Sequence, residues 1–437
     1  MENLLAARLQ MALSLGFHII FASIGIAMPF LMATSYAFFL KRRDPDYKIL
    51  THAWSKGVAI FFAIGAVSGT ALSFELGLLW PGFMKYAGPI IGMPFSWEGT
   101  AFFLEAIALG IFLYGWGKIP ERIHWLSGLA VGISGVASAY FVICANAWMN
   151  SPAGFEWNHG QPLNIDPWAA MFNDASTIQG IHMIAAAFQA VGFAVAGVHA
   201  ALFLRTRYAI HFKGLKIALF IGAVAAIVQP LIGHFAAQSV AERQPMKLAA
   251  MESLFKTQKS APFVLGGIPS KTDEKLDFAI EIPGLLSWLA FGDTEAEVKG
   301  LDQIPRENWP PVAVTHFSFQ IMILLGSLLA GVGLFAILAI WMRMALLESK
   351  FFLIVLCLCI PLGFIALEAG WIVTETGRQP WIIYGILKTK DALTPRPGIG
   401  VTFFIYCFLY LFLTFIAGVL LYRQTQLLHF ELKGKKA

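Results

Sequence analysis

Nine apolar stretches, each roughly as long as a helix needs to cross a bilayer, recur along the 437 residues of this chain. They cover about 12–39, 54–79, 97–117, 123–146, 179–204, 214–236, 312–342, 351–373 and 398–422. Only 13% of the residues are charged and 58% are hydrophobic, whereas a soluble domain carries about 25% charged residues. The expected fold is therefore all-α, a polytopic membrane protein with about nine transmembrane helices.

An odd number of spans puts the termini on opposite sides, and lysine and arginine choose which. Lys41, Arg42, Arg43 and Lys48 follow the first stretch, Lys118 and Arg122 the third, and Arg205, Arg207, Lys213 and Lys216 the fifth. Arg343 and Lys350 follow the seventh, and Arg423, Lys433, Lys435 and Lys436 end the chain. The opposite side contains 147–178, which has Glu156, Asp166 and Asp174 and no Lys or Arg. The expected N-terminus is outside and the C-terminus cytoplasmic. These basic loops account for the net charge of +5, so it calls for no nucleic acid.

Three parts follow: residues 1–236 with six helices, a polar connection at 237–311 on the outer face, and 312–437 with three helices and a cytoplasmic tail. A connection that long is rarely a mere linker, and a binding role is expected. No internal repeat is evident, and none of the stretches reads as interrupted. No cleavable signal peptide is expected, because Met1–Gln10 is mixed and the first apolar stretch is too long. Cys144, Cys357, Cys359 and Cys407 all fall in spans and read as small core residues.

Chemistry has to come from the few polar residues inside the spans. Glu368 sits in Ile365-Ala366-Leu367-Glu368-Ala369-Gly370-Trp371, and a carboxylate there is costly unless something pairs with it. His18, His182 and Met322 lie on three other spans. Imidazole, thioether and carboxylate all ligate haem iron; a His/Met pair fills both axial positions, while a single ligand leaves one open. Taken alone, a membrane His or Met is more often a packed core residue. Glu98 and Glu105 are seven residues apart and share one helix face. With Ser138 and Asn146 on the next span as partners, they suit a proton relay, or a buried network that fixes helix packing.

Gly377-Arg378-Gln379-Pro380-Trp381 after Glu368, with Glu375 between them, resembles the last-but-one helix of subunit I of the cytochrome bd family of quinol oxidases. Ala7-Arg8-Leu9-Gln10 followed by Gly16-Phe17-His18 is similar to the family's first helix, whose His binds an active-site haem. Gly180-Ile181-His182, and Thr315-His316-Phe317 through Ile321-Met322, are similar to the helices that carry the His and Met of the low-spin haem b. Ser138 with Ala145-Asn146-Ala147-Trp148-Met149 resembles the proton-pathway helix. The run from Ala241 to Glu252 is similar to the quinol-binding loop, whose Lys and Glu match Lys247 and Glu252. The likeness runs from Ala7 to about Trp381.

The resemblance implies a haem-bearing subunit that oxidises membrane quinol at the outer loop and reduces dioxygen to water. Quinol protons leave outside and protons for water enter from the cytoplasm, so a gradient forms without pumping. It implies two haem b groups, one low-spin at His182 and Met322 and one high-spin, and a haem d or a b-type haem in its place. His18 and Glu368 would hold the active-site pair, with Arg8, Trp371 and Arg378 as haem contacts and Trp381 as an interfacial anchor. A second membrane subunit, a very small third one in some members, and a bacterial cytoplasmic (inner) membrane complete the picture. Two departures stand out: Gln320 replaces the family's usual Arg, and Ser73-Phe74-Glu75-Leu76-Gly77 places a carboxylate two positions from its usual one. With the short outer loop, the second resembles the cyanide-insensitive branch. The rival readings are a haem electron conduit without oxygen chemistry and an ion-coupled transporter, which would show repeats and interrupted helices.

Overall fold

The computed structural model describes residues 2–158, 160–270, 272, 274–342 and 345–434. Arg343, Lys435 and Lys436, and the Lys433 side chain, all used above to orient the chain, lie outside the described residues. Among the described residues nine spans are long and apolar enough to cross a membrane. Helices α1 (Asn3–Arg42), α2 (Pro45–Leu79), α3 (Pro81–Tyr114) and α4 (Glu121–Asn150) form the first four. A hairpin of β1 (Glu156–Asn158) and β2 (Gln161–Leu163) and the short α5 (Pro167–Met171) lead to α6 (Ser176–Thr206) and α7 (Ala209–Arg243).

The polar connection then begins with α8 (Pro245–Met251). It continues through β3 (Gln258–Lys259), β4 (Phe263–Ser270), β5 (Lys275–Ile282), α9 (Leu285–Phe291) and β6 (Glu297–Val298). The last spans are α10 (Val312–Trp341), then α11 (Lys350–Leu358) with α12 (Leu362–Thr376), and finally α13 (Ile399–Gly434) after the β7 (Trp381–Ile383) and β8 (Leu387–Lys388) hairpin.

Small residues let the helices approach closely, the usual way membrane helices associate. A Cβ at Gly192 of α6 would lie 2.4 Å from the Gly222 Cα of α7, and one at Gly363 of α12 would lie 2.4 Å from the Ala190 Cα of α6. Two residues, Arg207 and Tyr208, join α6 to α7, and Arg207 makes the bend at φ 55°. At that end Lys213 Nζ donates to Asp44 at 2.5 Å and Asp46 at 2.7 Å, tying the α1–α2 corner to α7.

Several boundaries differ from the sequence reading, and three of them change how an element is built. The third span starts at Pro81, not near 97, because Pro89 and Pro94 lie inside the helix. Phe83, Ala87, Ile90 and Ile91 are buried with Trp148, Ile382 and Ile383, and that packing outweighs the lost backbone bonds. The outer connection starts at Gln244, not 237, because α7 runs on to Arg243. The eighth span, read as continuous, is interrupted at Cys359–Pro361, where Pro361 has no N–H to offer and its ring opposes the preceding turn. Each of the other eight spans is one helix among the described residues.

The polar connection is a folded cap. Leu248, Ala249, Leu254, Phe255, Leu286 and Leu301 share one core with Ala241 of α7 and Val312 of α10. The strands pair as β3 with β6 and β4 with β5, both antiparallel. All four cysteines are free.

Candidate functional site

The four expected iron ligands come from α1, α6, α10 and α12, and the other three of these helices all pack against α12. Each of the four side chains faces a glycine of a neighbouring helix. A Cβ at Gly69 of α2 would lie 3.0 Å from His18 Cε1, and one at Gly233 of α7 would lie 3.6 Å from His182 Cε1. A Cβ at Gly370 of α12 would lie 3.0 Å from Met322 Sδ, and one at Gly16 of α1 would lie 3.4 Å from Glu368 Oε2. A glycine thus lets a neighbouring helix pack directly against every candidate ligand.

The imidazoles are oriented from behind. His18 Nδ1 meets Ser68 Oγ of α2 at 3.0 Å. Gln229 Nε2 of α7 lies 3.3 Å from His182 Nδ1 and donates to the His182 carbonyl at 3.1 Å. Partners of this kind fix ring orientation in metal-ligating histidines. Trp371 Nε1 points at Met183 Sδ, 3.3 Å away, one residue from His182. Glu368 Oε1 is buried with no hydrogen-bond partner among the described residues.

The C-terminal turn of α12 holds a second carboxylate, Glu375, which the sequence reading named in the resemblance but gave no role. Glu375 Oε1 accepts from Asn146 Nδ2 at 2.7 Å, and its Oε2 accepts from Arg378 Nη2 at 2.6 Å. Arg378 is 2% exposed, and its Nε and Nη1 have no partner among the described residues. The spacing Trp371-x-x-x-Glu375-x-x-Arg378 was the available signal, since i, i+4 and i, i+3 positions meet on a helix. Arg8 lies on the exposed side and donates to Gln379 Oε1, which also accepts from Thr389 Oγ1 at 2.9 Å. Lys388 Nζ caps the Trp381 ring at 5.5 Å.

Glu98 and Glu105 both project from α3, Glu105 buried and Glu98 half-buried. Glu105 Oε1 sits 3.5 Å from the Cβ position of Gly135 on α4 and 4.0 Å from that of Gly25 on α1. The expected amide partner is engaged elsewhere: Asn146 gives its N–H to Glu375 rather than to Glu98 or Glu105. Ser138 lies one turn from Gly135 on α4 and is half-buried. Glu75 is buried at 1% exposure, where Gln10 Nε2 donates to it at 2.9 Å and Thr402 Oγ1 donates to Gln10 at 2.8 Å. The displaced carboxylate therefore ties α1, α2 and α13 together.

Lys247 and Glu252 are not surface residues; each is 3% exposed. Lys247 Nζ donates to Asn150 Oδ1 at 2.9 Å, and Glu252 Oε2 accepts from the Val264 N–H at 3.3 Å. Burial pushes the Lys247 amine down to about 7; nearby Arg378 acts in the same direction and Glu375 against it. Burial pushes the Glu252 carboxyl up to about 8, against the pull of the Val264 N–H. An acid and a base displaced toward neutrality from opposite sides can exchange protons with a substrate near neutral pH. A cavity of about 10 Å³, lined in part by Asn150, Arg243 and Gln244, opens at Asn150, the partner of Lys247.

Strand β4 fastens this cap to α10. Gln320 Nε2 donates to the Val264 carbonyl and its Oε1 accepts from the Gly266 N–H, both at 3.0 Å. His316 places Nδ1 2.8 Å from the Met251 carbonyl and Nε2 3.0 Å from that of Gly266. Gln320 thus has a local occupation that an arginine, which has no acceptor, could not fill. His124 meets Tyr36 and the Phe112 carbonyl, and His199 meets Trp54 and His211, as packing residues do.

Residues 6–428 match the family described as cytochrome bd terminal oxidase subunit I. Among similar proteins, the putative cytochrome bd menaquinol oxidase subunit I of Bacillus subtilis (strain 168) is 37% identical over 431 residues, 97% of this chain and 96% of that one. The cytochrome bd ubiquinol oxidase subunit 1 of the same organism is 32% identical over 419 residues, 92% of this chain and 88% of that one. The structure of bd oxidase from Geobacillus thermodenitrificans superposes with a TM-score of 0.92 at 36% identity, covering 97% of this chain and 98% of that one. The fold and these likenesses agree, and the chain belongs to the cytochrome bd terminal oxidase subunit I family.

Proposed function

We propose that this chain is the haem-bearing subunit of a membrane terminal oxidase that oxidises quinol and reduces dioxygen, working with a second subunit, as its family does. The observation that carries the reading is a set of buried polar atoms on and just after α12 that have no partner among the described residues, beside the helices that bring His18, His182 and Met322, as a haem group would require. The orphaned Glu368 Oε1 and the orphaned Arg378 nitrogens fit the same group, one offering an electron pair to iron and the other charge to a propionate. Bound haem supplies the one-electron steps between a two-electron donor and a four-electron acceptor.

His182 and Met322 would hold a low-spin haem b, and His18 an active-site haem. A carboxylate of α12 would hold the other active-site haem; of this pair one would be a high-spin haem b and the other a haem d or a b-type haem in its place. Glu368 is the ligand that the resemblance implies. Glu375 is the alternative, because the grip of Asn146 and Arg378 orients it as ligating carboxylates are oriented.

Glu252 would accept the quinol hydroxyl proton and Lys247 would donate to the other oxygen, with the outer cap as the binding segment. Two quinols release four protons and four electrons, and one dioxygen takes four of each to give two waters. Glu98, Glu105, Ser138 and Asn146 would serve proton delivery from the opposite face. This assigns the N-terminus to the outside, the C-terminus to the cytoplasm, and the chain to a bacterial inner membrane; a very small third subunit would complete the complex.

The test is a reduced-minus-oxidised spectrum of the purified complex with pyridine extraction of its haems. Haem b bands with a red-shifted chlorin band are expected, or haem b bands alone if the third site is b-type. An intact complex without haem would overturn the reading.

A further inference from the structure

Five side chains join the outer cap to the end of α12 through one unbroken run of hydrogen bonds. Lys247 Nζ donates to Asn150 Oδ1 at 2.9 Å, and Asn150 Nδ2 donates to Asn146 Oδ1 at 3.1 Å and to the Asn146 carbonyl at 3.0 Å. Asn146 Nδ2 donates to Glu375 Oε1 at 2.7 Å, and Arg378 closes the run on Glu375 Oε2 at 2.6 Å. Each asparagine amide in the run both accepts and donates, so its direction is set by its neighbours. The Lys247 stem also lies on Gly377, where a Cβ would come within 2.6 Å of Lys247 Cγ. The lysine is thus held between α4 and the residue that ends α12.

We propose that Asn150 is a positioning residue for quinol oxidation: it holds the Lys247 amine in place and, through Asn146, couples occupancy of the quinol site to the Glu375–Arg378 pair. The proposal rests on the assignment of Lys247 to the quinol site. Asn150 is 2% exposed and is the last residue of α4, so its side chain has no alternative partner in solvent. When a ligand oxygen takes the lysine, Asn150 Oδ1 loses its charged donor. Its amide then reorients, and so does the Asn146 amide that grips Glu375. Asparagine suits the junction because one end accepts and the other donates; aspartate keeps only the first ability and leucine neither.

The experiment uses the complete oxidase complex with Asn150→Leu, Asn150→Asp and Lys247→Ala variants. A hydroxyquinoline N-oxide, a non-reducible quinone analogue, is the probe. Readouts are its Kd by calorimetry, the visible-band shift that it induces, and KM and kcat for quinol. In wild type the analogue is expected to shift the visible bands. Asn150→Leu should raise KM and Kd about tenfold or more, as losing a partner of a charged group does, with haem content kept. Asn150→Asp should restore most of that loss, yet the band shift should be absent in both variants. Wild-type KM and Kd in Asn150→Leu, or a band shift that survives in Asn150→Asp, would overturn the proposal. So would the absence of any shift in wild type. If Lys247→Ala binds the analogue normally, the quinol assignment itself fails; if only Lys247→Ala is impaired, that assignment stands and the role of Asn150 falls.

Discussion

Asn146 and Glu375 lie 229 positions apart in sequence, and 2.7 Å separates the amide nitrogen of one from the carboxylate of the other. That bond fixes the C-terminal turn of α12 against α4. It turns toward Glu375 an asparagine expected to serve Glu98 and Glu105.

Glu375 and Glu368 can be separated by haem content. Glu368→Gln and Glu375→Gln should each yield an assembled complex, and the variant that removes the iron ligand should lose one haem per complex on pyridine extraction. Full haem content in both would end the carboxylate-ligand assignment.

His182→Ala and Met322→Leu should each abolish the low-spin haem signal in the difference spectrum. The ring of His182 is held by Gln229, and Met322 lies against Gly370. An unchanged spectrum in both variants would remove these residues from the site.

Glu105→Gln keeps the size of the side chain and removes its proton. A positioned proton carrier contributes about 10²–10⁴-fold to a rate, so dioxygen reduction should slow by at least about tenfold while haem content and quinol-analogue binding stay at wild-type levels. Wild-type turnover would reduce Glu105 to a packing role.

The outer cap should show a pH signature. With the Glu252 carboxyl raised from 4.5 to about 8, the native protein holds a proton there that the unfolded chain releases. Its contribution to stability is full below about 4.5 and is lost as pH rises through about 8. Lys247, lowered from 10.5 to about 7, behaves oppositely: its contribution is full above about 10.5 and is lost as pH falls through about 7. Thermal melts of the complex should therefore show Glu252→Gln gaining on wild type between pH 5 and pH 8, and Lys247→Met gaining as pH falls from 10 to 7. Melting differences that do not change with pH would contradict both.

Much of the fold was legible because bilayer physics is blunt: about 20 apolar residues make a span, and all nine were found. The errors fell where local signals oppose packing. Pro89 and Pro94 sit inside α3, ahead of the expected start near 97, while Pro361 interrupts a stretch expected to be continuous. The sequence named the helices of the site but not its connections. Asn150 carries no motif of its own, and its role depends on α8 folding back over the end of α4. Likewise, nothing local separates Glu368 from Glu375; only the partners that tertiary packing brings to each one do.

The contact of Gly192 with Gly222 also bears on how the protein is made. Two spans joined by two residues, with their backbones touching midway, can bury their small-residue faces in each other without any other helix. Such a helical hairpin can leave the translocation channel as one unit, with the Gln229 amide already behind the His182 ring. Cofactor capture would then follow membrane insertion rather than guide it, and an assembly intermediate holding this pair would be ready to accept its haem as soon as α10 delivers Met322.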